Sequence, residues 1–172
     1  MKFPKTLCTL VMAGSAVAAH AEGFYAGGNL GAPNWNSAVD GVDNSGRGVA
    51  GKLYGGYGVT PNLAVEAGAM HLGEARDDNG KVKANGVFLD AVGTLPVAKD
   101  WSLLGRVGAV HARFTGPTGD SSGTGLKLGA GVQYQLTPAV ALRGEYEQYR
   151  FRDVFDSRAH VGQFMAGVKV SF

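Results

Sequence analysis

Apolar and polar residues alternate one by one along most of this 172-residue chain. Between positions 126 and 136 the even positions carry Leu, Ala, Val or Tyr, whereas the odd positions carry Lys, Gly or Gln. The segment 163–172 repeats the pattern. A period of two is that of a β-strand, because successive side chains point to opposite faces of a sheet. The alternation therefore predicts strands with one apolar and one polar face.

Turn-forming residues divide the chain into eight such segments. The connections alternate between short ones (60–62, 96–100 and 137–139) and longer ones rich in Asp, Asn, Ser and Gly (33–46, 74–82, 115–122 and 153–157). Soluble strands usually have about 5–6 residues, whereas a tilted membrane-spanning strand needs about 9–11. Nearly all the predicted strands reach the membrane-spanning length: 23–32, 47–59, 63–73, 83–95, 101–114, 123–136, 140–152 and 158–172.

This arrangement predicts an all-β fold, an eight-stranded antiparallel transmembrane up-and-down β-barrel. In lipid every backbone N–H and C=O must be paired, and only a closed sheet leaves no unpaired edge. The even strand number puts both termini at the end with the short turns, which we expect to face the periplasm. The alternative is a soluble barrel with an apolar interior. The charged residues argue against it, because they fall on the same face as many of the glycines, and we expect this crowded face to point into the barrel.

The first residues are typical of a cleaved secretory signal peptide. Lys2 and Lys5 precede an apolar stretch and a small-x-small cleavage site at 19–21. We expect residues 1–21 to be removed and 22–172 to form one barrel domain. Removal of the two lysines takes Lys and Arg from 16 to 14, against 14 Asp and Glu, and Cys8 is lost as well. A net charge of zero argues against a nucleic-acid partner, and the absence of cysteine argues against a disulfide scaffold.

The face opposite to the apolar one carries charged residues that should point into the barrel. An eight-stranded barrel is barely wide enough for its own side chains. We therefore expect these groups to form a compact paired network, either as a structural plug or as the gate of a narrow water path. The predicted interior network consists of Lys52, Glu66, Asp90, Arg106, Lys127, Arg143, Glu145, Glu147 and Lys169.

Aromatic residues end the apolar faces at the side with the short turns. Amphipathic rings concentrate where a membrane meets water. The sequence therefore predicts a periplasmic aromatic girdle made of Phe24, Tyr57, Trp101, Tyr134 and Phe172.

At the loop ends of the strands, basic residues instead stand at positions whose side chains point to the same face as the apolar residues. Their position suggests contact with the phosphates of lipopolysaccharide, since arginine–phosphate hydrogen bonds are strong; a merely solvated rim is the alternative. The predicted rim consists of Arg47, His71, Lys83, His111, Arg113, Arg150, Arg152, Arg158 and His160.

Several segments resemble the transmembrane domain of the outer membrane protein A family. They are 55–62 with 65–68, 86–89 through 95–96 to 104–108, and 131–138 through 142–146. The end of the chain, 168–172 with its terminal Phe172, looks like the aromatic signal read by the outer-membrane assembly machinery. The resemblance implies a salt-bridged interior proposed to act as a gate, and roles in envelope integrity, adhesion or slow solute passage.

Within this resemblance, Glu66 and Arg143 match the family's central acid–base pair. Val92 and Gln133 stand where the family usually has Lys and Glu, so a family-like gate is only partly present. We do not expect the peptidoglycan-binding domain of full-length family members after the last strand, so the resemblance does not imply tethering to the cell wall.

The predicted function is that of a non-enzymatic outer-membrane barrel that supports the envelope and presents short loops. The alternatives are a narrow porin-like channel, or an adhesin or host-factor binder that uses the loop 33–46. We predict no catalytic residue, because the rim histidines lack a nucleophile in a suitable pattern. We also predict no metal site or cofactor, since the acidic loops lack the regular spacing of a calcium-binding loop. The expected partners are outer-membrane lipid, lipopolysaccharide and the assembly machinery, with the protein as a monomer.

Overall fold

The computed structural model describes residues 23–35, 48–77, 80–116, 119–154 and 157–172, and the description excludes the side chains of 33–35, 74–82 and 152–160. Each strand pairs antiparallel with the next, and the last pairs with the first, which confirms the predicted closed barrel. No helix in this part of the chain is long and apolar enough to cross a membrane. The strands are β1 (Phe24–Trp35), β2 (Ala50–Thr60), β3 (Leu63–Asp77), β4 (Gly80–Pro96), β5 (Trp101–Gly116), β6 (Gly119–Gln135), β7 (Val140–Val154) and β8 (Ser157–Ser171).

Most strands extend further at the loop end than the sequence analysis predicts, whereas β2 begins later, at Ala50 rather than at 47. The β3–β4 ladder continues to the pair of Asp77 with Gly80, and the β5–β6 ladder continues to the pair of Gly116 with Gly119. The predicted loops 74–82, 115–122 and 153–157 are therefore wrong as loops, because most of their residues belong to strands. Asp, Asn, Ser and Gly have low strand propensity, but pairing with the adjacent strand overrides it.

Burial alternates along the strands as the period of two requires. In β5 and in β6, exposed and buried residues succeed one another over most of the length. The outward positions hold apolar side chains such as Leu30, Leu53 and Phe164, which are 68%, 72% and 66% exposed. An apolar outside around a charged inside is the reverse of a soluble barrel. The soluble-barrel alternative is therefore wrong.

Glycines on the inner face make room for the side chains that fill the lumen. A Cβ atom added at Gly129 would lie 2.8 Å from Cγ of Arg106, and one added at Gly131 would lie 3.0 Å from Cγ of Glu145. A Cβ atom added at outward-facing Gly105 would have no other atom within 4 Å. Inward glycines thus allow long charged side chains to lie flat across a narrow barrel.

A charged network as the candidate functional site

Eight of the nine predicted interior charges are buried together in the lumen. Their side chains are between 0% and 2% exposed, and they alternate with outward apolar residues on β2 to β7. Four are cations and four are carboxylates, so the group can be electrically balanced. This charge network consists of Lys52, Glu66, Asp90, Arg106, Lys127, Arg143, Glu145 and Glu147.

Arg106 on β5 is at the centre of the charge network. Its Nη1 lies 3.0 Å from Oε2 of Glu66 and 3.1 Å from Oδ2 of Asp90. Its Nη2 lies 2.7 Å from Oε1 of Glu145, and its Nε lies 3.3 Å from Oε1 of Glu147. One guanidinium group therefore contacts all four carboxylates. It can do so because it carries five N–H donors that point in different directions within one plane.

Two lysines complete the network on the side toward the loops. Nζ of Lys52 lies 2.5 Å from Oε2 of Glu145 and also pairs with Glu147. Nζ of Lys127 lies 2.7 Å from Oδ2 of Asp90 and 3.4 Å from Oε1 of Glu147. Burying charge costs several kcal/mol per ion unless partners compensate it. The sharing of each carboxylate among several cations provides that compensation.

Arg143 and Glu66 form the part of the network nearest the short turns. Nη1 of Arg143 lies 2.6 Å from Oε1 of Glu66, as the resemblance implies for this pair. Nε of Arg143 donates to Oε1 of Gln133 at 3.0 Å, and its Nη1 also donates to the hydroxyl of Tyr54 at 3.1 Å. The Tyr25 hydroxyl donates to Oε1 of Glu66 at 2.9 Å. Gln133 therefore serves as a neutral acceptor at a position where the resemblance implies a carboxylate.

Aromatic rings surround the lysines of the network. Nζ of Lys127 lies 3.8 Å from the ring centroid of Phe88 and 5.6 Å from that of Tyr149. Nζ of Lys52 lies 5.5 Å from the centroid of Tyr54. A cation gains about 0.5–1 kcal/mol from such a contact at an exposed site and about 2 kcal/mol when it is desolvated. The rings thus fill the lumen and stabilise its cations.

Two amides belong to the interior cluster although the sequence analysis did not select them. Nδ2 of Asn29 donates to Oε2 of Glu145 at 3.2 Å, and Nε2 of Gln163 donates to the Tyr149 hydroxyl at 2.6 Å. Both are buried. The alternation predicts that both side chains point inward. An amide has no formal charge, however, so these two residues do not stand out in the sequence as members of a charged cluster. Val92, also at an inward position, is buried and apolar.

Lys169 stands apart from the network to which the sequence analysis assigns it. It is on β8 near the short turns and is only partly buried. Its Nζ lies 4.9 Å from the ring centroid of Tyr25, and in the described part of the chain it makes no ion pair. The balanced set inside the barrel therefore has eight members rather than nine.

The five predicted girdle residues are at the end with the short turns. Phe24 and Tyr57 are neighbours with ring centroids 4.8 Å apart, and Trp101 and Tyr134 form a second pair at 4.9 Å. Phe24, Tyr57, Trp101 and Phe172 are exposed on the outside, and Tyr134 is half-buried. The backbone N–H of Phe172 donates to the carbonyl of Phe24 at 3.1 Å.

The described members of the basic rim lie near the opposite end. His71 is partly exposed, with its Nδ1 2.7 Å from Oδ1 of Asn85. Among the residues with described side chains, no group of three or more His, Cys, Asp or Glu could hold a metal. The exposed rim residues are Lys83, His111, Arg113 and Arg150, whereas Arg47 and the side chains of Arg152, Arg158 and His160 lie outside the described part.

Comparison with known proteins agrees with this geometry. A family model described as the outer membrane protein beta-barrel domain matches residues 6–172. The chain belongs to this family. It is 30% identical, over an alignment of 171 positions, to outer membrane protein A of Shigella dysenteriae, with 86% of this chain and 48% of that protein covered. The chain thus spans about half the length of the curated relatives it matches.

Solved outer-membrane barrels share the fold. The crystal structure of Neisserial surface protein A is similar with a TM-score of 0.67 at 19% identity, covering 87% of this chain and 97% of that one. The N-terminal β-barrel domain of Pseudomonas aeruginosa OprF is similar with a TM-score of 0.59 at 15% identity, covering 86% and 98%. As a member of the outer membrane protein beta-barrel family, this chain is a β-barrel of the bacterial outer membrane.

Proposed function

We propose that this barrel is a non-enzymatic structural protein of the outer membrane whose lumen is closed by the charge network. The observation that carries the proposal is the burial of eight charged side chains, each at most 2% exposed, across the middle of the lumen. A path for solutes would require several of these ion pairs to separate at once. Separating buried pairs costs several kcal/mol, so the closed form is favoured.

Two measurements test this proposal. Heat-modifiable gel mobility first shows that the refolded protein is a compact barrel. This protein should then produce no conductance steps in planar lipid bilayers. Overexpression in bacteria should leave the lipid A composition unchanged, as expected for a barrel without hydrolase or acyltransferase activity. Frequent discrete conductance steps would contradict the closed lumen, and altered lipid A would contradict the absence of enzymatic activity.

The proposed orientation places the short turns and both ends of the chain in the periplasm. An even number of strands brings the two ends to one side, and the β1–β8 ladder starts with the pair of Tyr25 and Ser171 at the short-turn end. We further propose that residues 1–21 are cleaved as a signal peptide and that Phe172, 58% exposed, is read by the assembly machinery. In this orientation the girdle lies at the periplasmic membrane surface.

Lipopolysaccharide is the proposed partner of the basic rim. The register aligns His71 with Asn85, Asn85 with Arg113, and Arg113 with Ser122 across four adjacent strands. Lys83 lies on the same outer face, one outward position nearer the loops. A band of cationic and hydrogen-bonding side chains above an apolar wall is complementary to a phosphate-bearing lipid headgroup. The proposed contacts are to the lipopolysaccharide phosphates, and the protein needs no second copy to make them.

A narrow gated channel is the second candidate. It is supported by the sharing of Glu66, which accepts from Arg143 through one oxygen and from Arg106 through the other. Glu66 therefore keeps a partner if Arg143 turns away. Conductance steps that become more frequent in Glu66→Gln, and not in the exposed-turn variant Lys99→Met, would favour the channel. The adhesin alternative rests on loop 33–46, most of which lies outside the described residues.

A further inference from the structure

The barrel opens into a cavity of about 340 Å³ at the end with the short turns. Inward-facing residues at the ends of the strands form its wall, among them Ser102, Gln133 and Ser171. Arg143 and Lys169 also line it, so the charge network reaches the cavity only through its outermost guanidinium. The cavity is thus distinct from the sealed middle of the lumen.

Two cations line the cavity: Arg143 is already paired with Glu66, whereas Lys169 has no paired carboxylate in the described part of the chain. The described lining of the cavity contains no Asp or Glu. The charge network below has four cations and four carboxylates, which leaves Lys169 as a fifth interior cation without a paired anion in the described part of the chain. Nη2 of Arg143 likewise makes no hydrogen bond to any described group. Low-dielectric walls strengthen the attraction of such charges for an anion.

Both cations lie close to the ring of Tyr25. Its ring centroid lies 4.9 Å from Nζ of Lys169 and 5.5 Å from Cζ of Arg143. Like charges repel each other, and an anion that contacts both groups would offset that repulsion. A water molecule occupies about 30 Å³ in the liquid, so a cavity of about 340 Å³ has room for a polyatomic ion and several waters.

We propose that this cavity binds a small oxyanion, a phosphate or a carboxylate group, through Lys169 and Arg143. Nζ of Lys169 and the free Nη2 of Arg143 provide charge-assisted hydrogen bonds, which are the strong kind. The hydroxyls of Ser102 and Ser171 are additional donors on the wall. In the proposed orientation the site is open to the periplasm. It depends neither on the lipopolysaccharide contact nor on whether the lumen conducts.

The test uses refolded protein in detergent micelles, titrated at constant ionic strength with inorganic phosphate and, in a separate arm, with acetate. Amide resonances of Ser102, Gln133 and Ser171 should shift saturably, while that of Ser122 at the other end should not move. The arm with the tighter binding identifies the oxyanion as phosphate or carboxylate. Lys169→Met should weaken binding about tenfold, as expected for the loss of one charge-assisted contact.

Lys99→Met is the matched control, because it removes an exposed cation from the turn at the same end without touching the cavity lining. It should bind with the affinity of the wild type. If Lys169→Met does not refold, Lys169→Gln removes the charge and keeps a polar side chain at this position. The proposal is overturned by absence of saturable shifts with both ions, by unchanged binding after loss of the Lys169 charge, or by an equal loss in Lys99→Met.

Discussion

Arg143 and Glu66 are 77 residues apart in the chain, yet Nη1 of one lies 2.6 Å from Oε1 of the other. They come from β7 and β3, which are not neighbours in the barrel, so the pair crosses the lumen. Both side chains are almost wholly buried, at 2% and 0% exposure. The contact therefore links two distant parts of the wall and depends on the closure of the sheet.

Removal of Arg143 should destabilise the barrel. We expect Arg143→Met to lower the free energy of unfolding by about 3 kcal/mol, because it leaves Glu66 buried with less compensation. Urea unfolding of protein refolded in lipid vesicles measures this change. The double variant Glu66→Gln/Arg143→Met should lose less than the sum of the two single variants, by about 1 kcal/mol or more. Strict additivity would show that the two side chains do not stabilise each other.

Gly129 should not tolerate alanine, whereas Gly105 should. A Cβ at Gly129 would meet Cγ of Arg106 at 2.8 Å and push the central guanidinium out of place, whereas one at Gly105 has nothing within 4 Å. Gly129→Ala should therefore cost about 1–3 kcal/mol of stability, and Gly105→Ala about 0.5 kcal/mol or less. The same vesicle assay compares them. Equal effects would mean that the lumen is less tightly filled than the structure shows.

The basic rim should confer a stability that depends on lipopolysaccharide. Replacement of exposed Arg113 and Arg150 by Ser should reduce the rise in heat stability that lipopolysaccharide produces, because two phosphate partners are lost. The temperature at which the compact gel band disappears, with and without lipopolysaccharide, reports the effect. Lys99→Ser, at the opposite end, serves as the control. If the double variant and the control respond equally to lipopolysaccharide, the rim is merely solvated.

Trp101 should lie at the membrane surface rather than in the middle of the bilayer. Its ring is 48% exposed and is paired with Tyr134 at the short-turn end, and amphipathic rings favour the interface. In a Trp35→Phe background, Trp101 is the single tryptophan. Its fluorescence should be quenched more by lipids brominated near the headgroup than by lipids brominated near the end of the acyl chain. Stronger quenching by lipids brominated near the end of the acyl chain would show that Trp101 lies in the middle of the bilayer and would contradict the prediction.

Much of the candidate site was predictable because position along a strand decides which way a side chain points. The parity that makes Leu126 and Leu128 face outward makes Lys127 face inward, and the structure has it fully buried. Strand ends were less predictable. Asp77 and Gly80 have poor strand propensity, yet they pair with each other because the ladder below them continues.

The alternation in the sequence by itself determined the eight strands, the apolar outside and the charged inside, since these follow from the geometry of a single strand in lipid. The partners of each charge were decided by the tertiary structure alone. Arg106 contacts carboxylates from three other strands, and Lys169 has no carboxylate partner in the described part of the chain. The physical reason is that an ion pair depends on distance across the lumen, which only the register and closure of the barrel define.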